Sequence, residues 1–131
     1  MAFDPYIGIP WVDMACGHDA CDCWGLVRLI YREVLGLELP SFSGRLVTGE
    51  DSAAVANLIN GERGAWDELP AGREACFDVI TMWDGPHVSH VGMVVQPGLM
   101  IHVARGSTSA IERYRQGLRR PRIDGFFRYR G

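Results

Sequence analysis

The sequence from residue 22 to residue 36 reads DCWGLVRLIYREVLG. Asp22 is of the type that caps a helix N-terminus, and Gly36, with Pro40 shortly after it, predicts a helix end. Between them, apolar residues recur at helical spacing on one face, which carries Cys23, Leu26, Val27, Ile30 and Val34. The segment therefore predicts an amphipathic helix with a thiol in its first turn.

Cys23 would lie at the positive end of this helix. The helix dipole favours a thiolate there, and the backbone N–H groups of a first turn can stabilise an oxyanion. These features fit a nucleophile. A small buried cysteine that only packs at a helix start fits the same residues, so the helix alone does not decide between the two roles.

The composition is that of a globular protein. Of the 131 residues, 47% are hydrophobic and 22% are charged, which excludes a disordered or fibrous chain. This length fits a single domain over residues 1–131. We expect no membrane span and synthesis in a cytoplasm, because no apolar run approaches roughly 20 residues and the first residues lack a signal-peptide pattern.

The net charge of −3 is unevenly distributed along the chain. Residues 105–131 contain eight arginines and two acidic residues, and such a basic stretch can contact nucleic acid or an anionic polymer. Apolar residues are interleaved with these arginines at Ile123, Phe126, Phe127 and Tyr129. We therefore expect a solvated edge strand here and no nucleic-acid partner.

The apolar period changes from helical to strand-like after Ala75. Five short segments have the residue pattern of strands. They are residues 76–83, 90–95, 99–104, 110–114 and 125–130. Before them, residues 52–60 predict a second helix and residues 66–70 an apolar connection. The order predicts an α+β fold, with N-terminal helices packed on a central, mainly antiparallel sheet of about five strands.

His90 and His102 lie 12 residues apart, on either side of a turn at Pro97. Opposed residues of an antiparallel hairpin have a constant sum of residue numbers. A sum of 194 places His102 opposite Gly92 and diagonal to His90, on one face, whereas an odd sum separates the two imidazoles. In cysteine catalysis one imidazole accepts the thiol proton and a second group orients it. Two half-buried histidines without a catalytic role are the alternative.

Three of the four cysteines lie close together in the sequence, around His18. Zinc binds such residue types, but the spacing of Cys16, His18, Cys21 and Cys23 is not that of a standard zinc knuckle. A Cys16–Cys21 disulfide would require an oxidising compartment, and reduced thiols are the expectation without an export signal. We expect no metal; a zinc-stapled binding module is the alternative.

Four segments resemble, in order, the NlpC-type cell-wall cysteine peptidases, which have a papain-like fold. They are DCWGLV at 22–27, FDVI at 77–80, SHVGMV at 89–94 and MIHV at 100–103. The lead-in YIGIPW at 6–11 and the tail IDGFFRY at 123–129 resemble the phage-encoded branch of that family. The resemblance covers nearly the whole chain. It departs at Trp11, where many members have tyrosine, and at Phe77, where members usually have glycine.

The resemblance implies a peptidoglycan-hydrolysing endopeptidase with no metal or organic cofactor. Its substrates would be bacterial stem peptides, typically cut between D-γ-glutamyl and a diamino acid. Cys23 would be the nucleophile, His90 the base and His102 the orienting residue. A phage enzyme of this kind would be associated with the tail, with other tail proteins as partners, and would reach the cell wall without the secretory route.

Five residues that lie near the triad in sequence are candidates for the walls of a substrate cleft. They are Trp11, Asp19, Trp24, Trp83 and Arg105. Because the triad sets the reaction type and the walls set the substrate, an amidase or acyltransferase with the same triad is an alternative. A non-catalytic tail protein is a third.

Overall fold

The computed structural model describes residues 3–39, 65–115 and 123–130. Within these ranges the chain forms a short 3-10 helix at Asp4–Tyr6, helix α1 at Cys23–Ile30 with a π-helical extension at Tyr31–Leu35, and six strands. The strands are β1 Trp66–Leu69, β2 Val79–Asp84, β3 His87–Gln96, β4 Leu99–His102, β5 Ala110–Arg113 and β6 Ile123–Tyr129. The second helix predicted at residues 52–60 lies outside the described residues.

Helix α1 begins where the sequence predicts. Asp22 is its N-cap, and the carboxylate accepts hydrogen bonds from the backbone N–H of Gly25 at 2.6 Å and of Met14 at 2.8 Å. The helix start is therefore tied to the preceding loop. The loop lies very close to the helix, because a Cβ at Gly25 would overlap the backbone carbonyl of Ala15.

The helical segment ends at Gly36 as predicted, but its last turn is not regular α-helix. The helix widens into a π-helical turn over Tyr31–Leu35. Gly36, with a φ of 68°, is the C-cap of this turn. A π turn advances the helix by fewer degrees per residue, so the apolar face predicted from a regular period is displaced. Val34, predicted to pack with Cys23 and Ile30, is accordingly 42% exposed.

The strands form one antiparallel sheet in the order β1-β6-β2-β3-β4-β5. The α+β class and the antiparallel sheet are confirmed. Two predictions are wrong. Residues 66–69 form edge strand β1 rather than a connection, because Trp66 pairs with Tyr129. Strand β6 is not at the edge, since it lies between β1 and β2, which cover both its sides.

Strand β2 begins later than predicted, at Val79 rather than at residue 76. Phe77 has a φ of 76°, a left-handed conformation that interrupts an extended strand. The backbone N–H of Ala75 donates to Asp78 Oδ2 at 2.8 Å, which closes a turn just before the strand. Glycine adopts this backbone conformation without strain, which gives a physical reason for the glycine usual at the Phe77 position.

Buried side chains form two clusters on the two faces of the sheet. Alternation along each strand separates them: Val79, Met93 and Ile101 belong to the first, and Ile80, Val94 and Met100 to the second. Helix α1 contributes Leu26, Val27 and Ile30 to the first cluster, which therefore fixes the helix and its N-terminal Cys23 against the sheet. Among the described residues no helix has the length and apolarity that crossing a bilayer requires.

Candidate active site

Cys23 is the first residue of α1, and it is 9% exposed. Backbone N–H groups of Val91, Trp24 and Cys23 itself lie where they stabilise its thiolate. Val91 follows His90 directly on strand β3. The fold therefore brings the sulfur of the predicted nucleophile against the strand that carries the predicted base.

The ionisation of Cys23 differs from the expectation for a helix start. Burial, followed by the neighbouring Asp22 carboxylate, raises the pKa of the thiol from 9.0 to about 12. The nearby N–H groups oppose this shift but do not offset the lost hydration. The helix start favours the thiolate as predicted, but burial outweighs this effect. Near neutral pH, Cys23 needs a base inside the site to take its proton.

The two histidines meet as their register predicts. Met93 pairs with Ile101 and Val94 with Met100, so the number sum is 194, the even alternative that places both imidazoles on one face. His90 Nε2 lies 2.8 Å from His102 Nδ1, and the ring planes are inclined at 73°. His90 is half-buried, whereas His102 is only 3% exposed.

Gly92 makes room for the buried imidazole. A Cβ at this position would lie 3.2 Å from the Cβ of His102 and 3.3 Å from the Sδ of Met100. A larger residue would displace the side chain that His90 contacts. The glycine thus belongs to the packing of the histidine pair.

The carboxylate of Glu112, which the sequence analysis did not identify, faces the ring nitrogen of His102 that His90 does not contact. Glu112 Oε1 lies 3.2 Å from His102 Nε2. On the β4–β5 pair His102 is opposite Ala110 and Met100 is opposite Glu112, so the acid is the diagonal neighbour of the imidazole on the same face. The register rule used for the two histidines locates Glu112 only once the pairing of β4 with β5 is known.

A family model described as the NlpC/P60 family matches residues 11–128, which is most of the 131-residue chain. The chain belongs to the NlpC/P60 family. A comparison with curated proteins gives no match.

Solved structures share the fold of this NlpC/P60 chain at low sequence identity. An NlpC/P60 family protein from Bacillus cereus ATCC 10987 has a TM-score of 0.68 and 20% identity, over 98% of this chain and 40% of its own. A protein described as similar to lipoprotein, NLP/P60 family, from Staphylococcus aureus subsp. aureus Mu50 has a TM-score of 0.65 and 19% identity, over 97% of this chain and 38% of its own. The chain thus spans less than half the length of these two proteins.

The NlpC/p60 domain of the peptidoglycan hydrolase SagA matches over a larger share of its own length. Its TM-score is 0.61 and its identity 20%, over 95% of this chain and 90% of that domain. Together these likenesses establish the papain-like NlpC/P60 fold that the resemblance implied.

Trp11 and Arg105, two of the five cleft candidates, are brought together in this NlpC/P60 chain. The Arg105 guanidinium lies 4.8 Å from the centroid of the Trp11 ring, a cation–π distance. Trp11 also forms a β-bridge with Cys21, two residues before Cys23. The bridge therefore ties Trp11 to the segment that leads into α1.

The other three cleft candidates, Trp24, Trp83 and Asp19, have different surroundings. Trp24 is 4% exposed and packs in the core, with its ring 6.3 Å from that of Trp66. A core position of this kind does not line an open cleft. Trp83 is 42% exposed beside a bulge in the β2–β3 pairing, and Asp19 is exposed in the loop before α1.

The residues of the zinc alternative have other partners. His18 Nε2 lies 2.8 Å from Glu33 Oε1, and Cys16 Sγ donates to the carbonyl of Gly25 at 3.3 Å. In the part of the chain that the structure describes, no three histidines, cysteines or acids are grouped as metal ligands. All four cysteines are free thiols, although Cys16 and Cys21 are directly opposed in a short antiparallel bridge.

Proposed function

We propose that this NlpC/P60 protein is a cysteine peptidase that cuts amide bonds in the stem peptides of bacterial peptidoglycan. Cys23 is the nucleophile, His90 the base and His102 the residue that orients it. The observation that carries the proposal is the histidine pair, with His90 Nε2 2.8 Å from His102 Nδ1 on the strand that contacts the thiol. The family supports it, because its members are cysteine peptidases or hydrolases of peptidoglycan.

The reaction follows from the protonation state of the site. Because burial raises the pKa of the Cys23 thiol to about 12, the thiol proton passes to His90 as the sulfur attacks the carbonyl carbon. Backbone N–H groups in the first turn of α1 stabilise the oxyanion. The His90 imidazolium then protonates the leaving amine, and a thioester forms. Water hydrolyses the thioester and regenerates the thiol.

The positive charge of Arg105 supports a γ-linked glutamyl bond as the target. A γ-linked D-glutamate keeps its α-carboxylate free beside the scissile amide, so the substrate carries a negative charge there. Arg105 supplies a positive charge over the Trp11 ring, and Trp11 forms a bridge with Cys21, two residues before Cys23. We therefore assign cleavage between D-γ-glutamyl and a diamino acid to this site, with Arg105 as the group that binds the carboxylate.

The phage setting is the final element of the proposal. Residues 6–11 and 123–129 resemble the phage-encoded branch of the family, which supports an enzyme carried in a phage tail or expressed with it. Such an enzyme acts on the wall during DNA entry. Copurification with tail particles, detected by mass spectrometry, tests this part of the proposal separately from the activity.

The activity is tested on a soluble stem peptide with a γ-D-glutamyl–diamino acid bond, and products are identified by mass spectrometry. The wild type should release the diamino acid fragment, and Cys23→Ala should not. Cys76→Ala, which removes an exposed thiol, is the matched control and should cleave normally. An amidase acting elsewhere would leave different product masses. Cleavage by Cys23→Ala, or none by the wild type, rejects the proposal.

A further inference from the structure

We propose that Glu112 is a positioning residue that fixes the tautomers of both imidazoles and so makes Nδ1 of His90 the basic atom. The inference rests on the proposed function for the role of His90 in catalysis. Its structural basis is a chain of three side chains, in which His90 Nε2 lies 2.8 Å from His102 Nδ1 and His102 Nε2 lies 3.2 Å from Glu112 Oε1.

The first step concerns the proton between His102 Nε2 and the carboxylate of Glu112. An ionised carboxylate can only accept hydrogen bonds. His102 must therefore carry a proton on Nε2, the atom that faces Glu112. In a neutral imidazole the other ring nitrogen then has a lone pair, so His102 Nδ1 is an acceptor.

The second step concerns His90. Since His102 Nδ1 accepts, the partner atom His90 Nε2 must donate, and it carries the single proton of a neutral ring. His90 Nδ1 then has the lone pair that can take the thiol proton. Without the carboxylate, both rings can adopt the reverse tautomers. Nδ1 of His90 would then hold a proton and could not accept another.

The surroundings make Glu112 suited to this role. His102 is 3% exposed, so bulk water does not compete with the carboxylate for its Nε2 atom. The pairing of β4 with β5 sets the acid diagonally opposite the imidazole, because Met100 is opposite Glu112. The carboxylate itself is 43% exposed, so it keeps its hydration on the outer side.

The test uses protein labelled with ¹⁵N at histidine, in which long-range ¹H–¹⁵N spectra report the tautomer of each ring. The wild type should show protons on Nε2 of both His90 and His102. Glu112→Gln keeps the size of the side chain but adds a donor, so both rings should show mixed tautomers. Alkylation of Cys23 by iodoacetamide should slow by roughly threefold to tenfold, in proportion to the reversed population.

Glu33→Gln is the matched control, because it makes the same change at another imidazole, His18, 2.8 Å from Glu33. It should leave the tautomers of His90 and His102 and the alkylation rate of Cys23 unchanged. The proposal is overturned if wild-type His102 carries its proton on Nδ1, or if Glu112→Gln leaves the tautomers or the rate unaltered. Neither readout uses a substrate, so a wild type with these tautomers that cuts no peptide rejects the proposed function alone.

Discussion

At the scale of single residues, the sequence supplies the chemical groups but not their hydration. Spacing and register, which are local properties of one helix and one hairpin, made Cys23, His90 and His102 candidates, and the family resemblance gave them their roles. The raised pKa of Cys23 comes from burial, first of all, and burial depends on packing between distant segments. Glu112 was missed because the register of the next hairpin depends on strand bounds that the sequence does not define.

Arg105 gives a prediction at this scale. Removing its charge in Arg105→Ala should raise the KM for a γ-D-glutamyl stem peptide by roughly tenfold, with little change in kcat, because the carboxylate that we propose it binds is present in both ground and transition states. Arg130→Ala removes an exposed arginine that pairs with Asp67 at 3.2 Å and is the control. Steady-state kinetics measure the effect. An unchanged KM, or an equal loss in Arg130→Ala, would contradict the assignment.

At the scale of elements, the start of the helix at Asp22 and its end at Gly36 were predictable, and the π-helical turn before that end was not. The Asp22 cap is a local signal, whereas regular and π-helical turns share similar apolar patterns, so the displacement of Val34 is not visible in the sequence. Strand β1 was missed for a related reason. Its residues Asp67 and Glu68 are unfavourable in strands, and only pairing with β6 makes them extended.

The close approach at Gly25 gives a prediction for the helix. In a solvent-exposed helix, replacing glycine by alanine stabilises a protein by about 1 kcal/mol. Here the added Cβ would overlap the carbonyl of Ala15, so Gly25→Ala should instead lower the free energy of unfolding by roughly 1–3 kcal/mol. Gly17→Ala is the control, because its Cβ would meet only one atom, at 4.0 Å. Urea unfolding distinguishes the signs, and a stabilised Gly25→Ala would refute the packing described.

At the scale of the whole molecule, the fold class could be predicted and the strand order could not. Helix followed by strands indicates an α+β fold with an antiparallel sheet, because consecutive strands pair as hairpins. The insertion of β6 between β1 and β2 joins segments far apart in the chain, and no local pattern encodes it. This insertion is why β6 is interior to the sheet rather than at its edge.

Glu74 gives a prediction for global stability. It is buried, and although burial favours the neutral acid, hydrogen bonds from Tyr114, Gly72 and Arg115 hold its pKa below the usual 4.5. The unfolded chain therefore takes up this proton first as pH falls. The stabilisation is present above about pH 4.5 and is lost as pH falls through the lower folded-state pKa.

Urea unfolding across an acidic pH series measures this dependence. Stability of the wild type should fall on acidification, and Glu74→Gln should be less stable above pH 4.5 but lose less stability below it. Glu68→Gln, at an exposed position, should follow the wild-type curve. A Glu74→Gln curve parallel to that of the wild type would show that this carboxyl is not linked to folding.

Alkylation of Cys23 by limiting iodoacetamide over a range of pH, with the modified cysteines mapped by mass spectrometry, tests the proton transfer from Cys23 to His90 most directly. In the wild type, Cys23 should react near neutral pH. In His90→Ala it should react at least roughly tenfold more slowly there, and its rate should keep rising with pH towards the raised thiol pKa of about 12, because the buried thiol has lost its base. His18→Ala, which removes an imidazole paired with Glu33, should behave as the wild type. If Cys23 reacts with the same rate and pH profile in the wild type and in His90→Ala, it is a structural thiol and the catalytic pair does not exist.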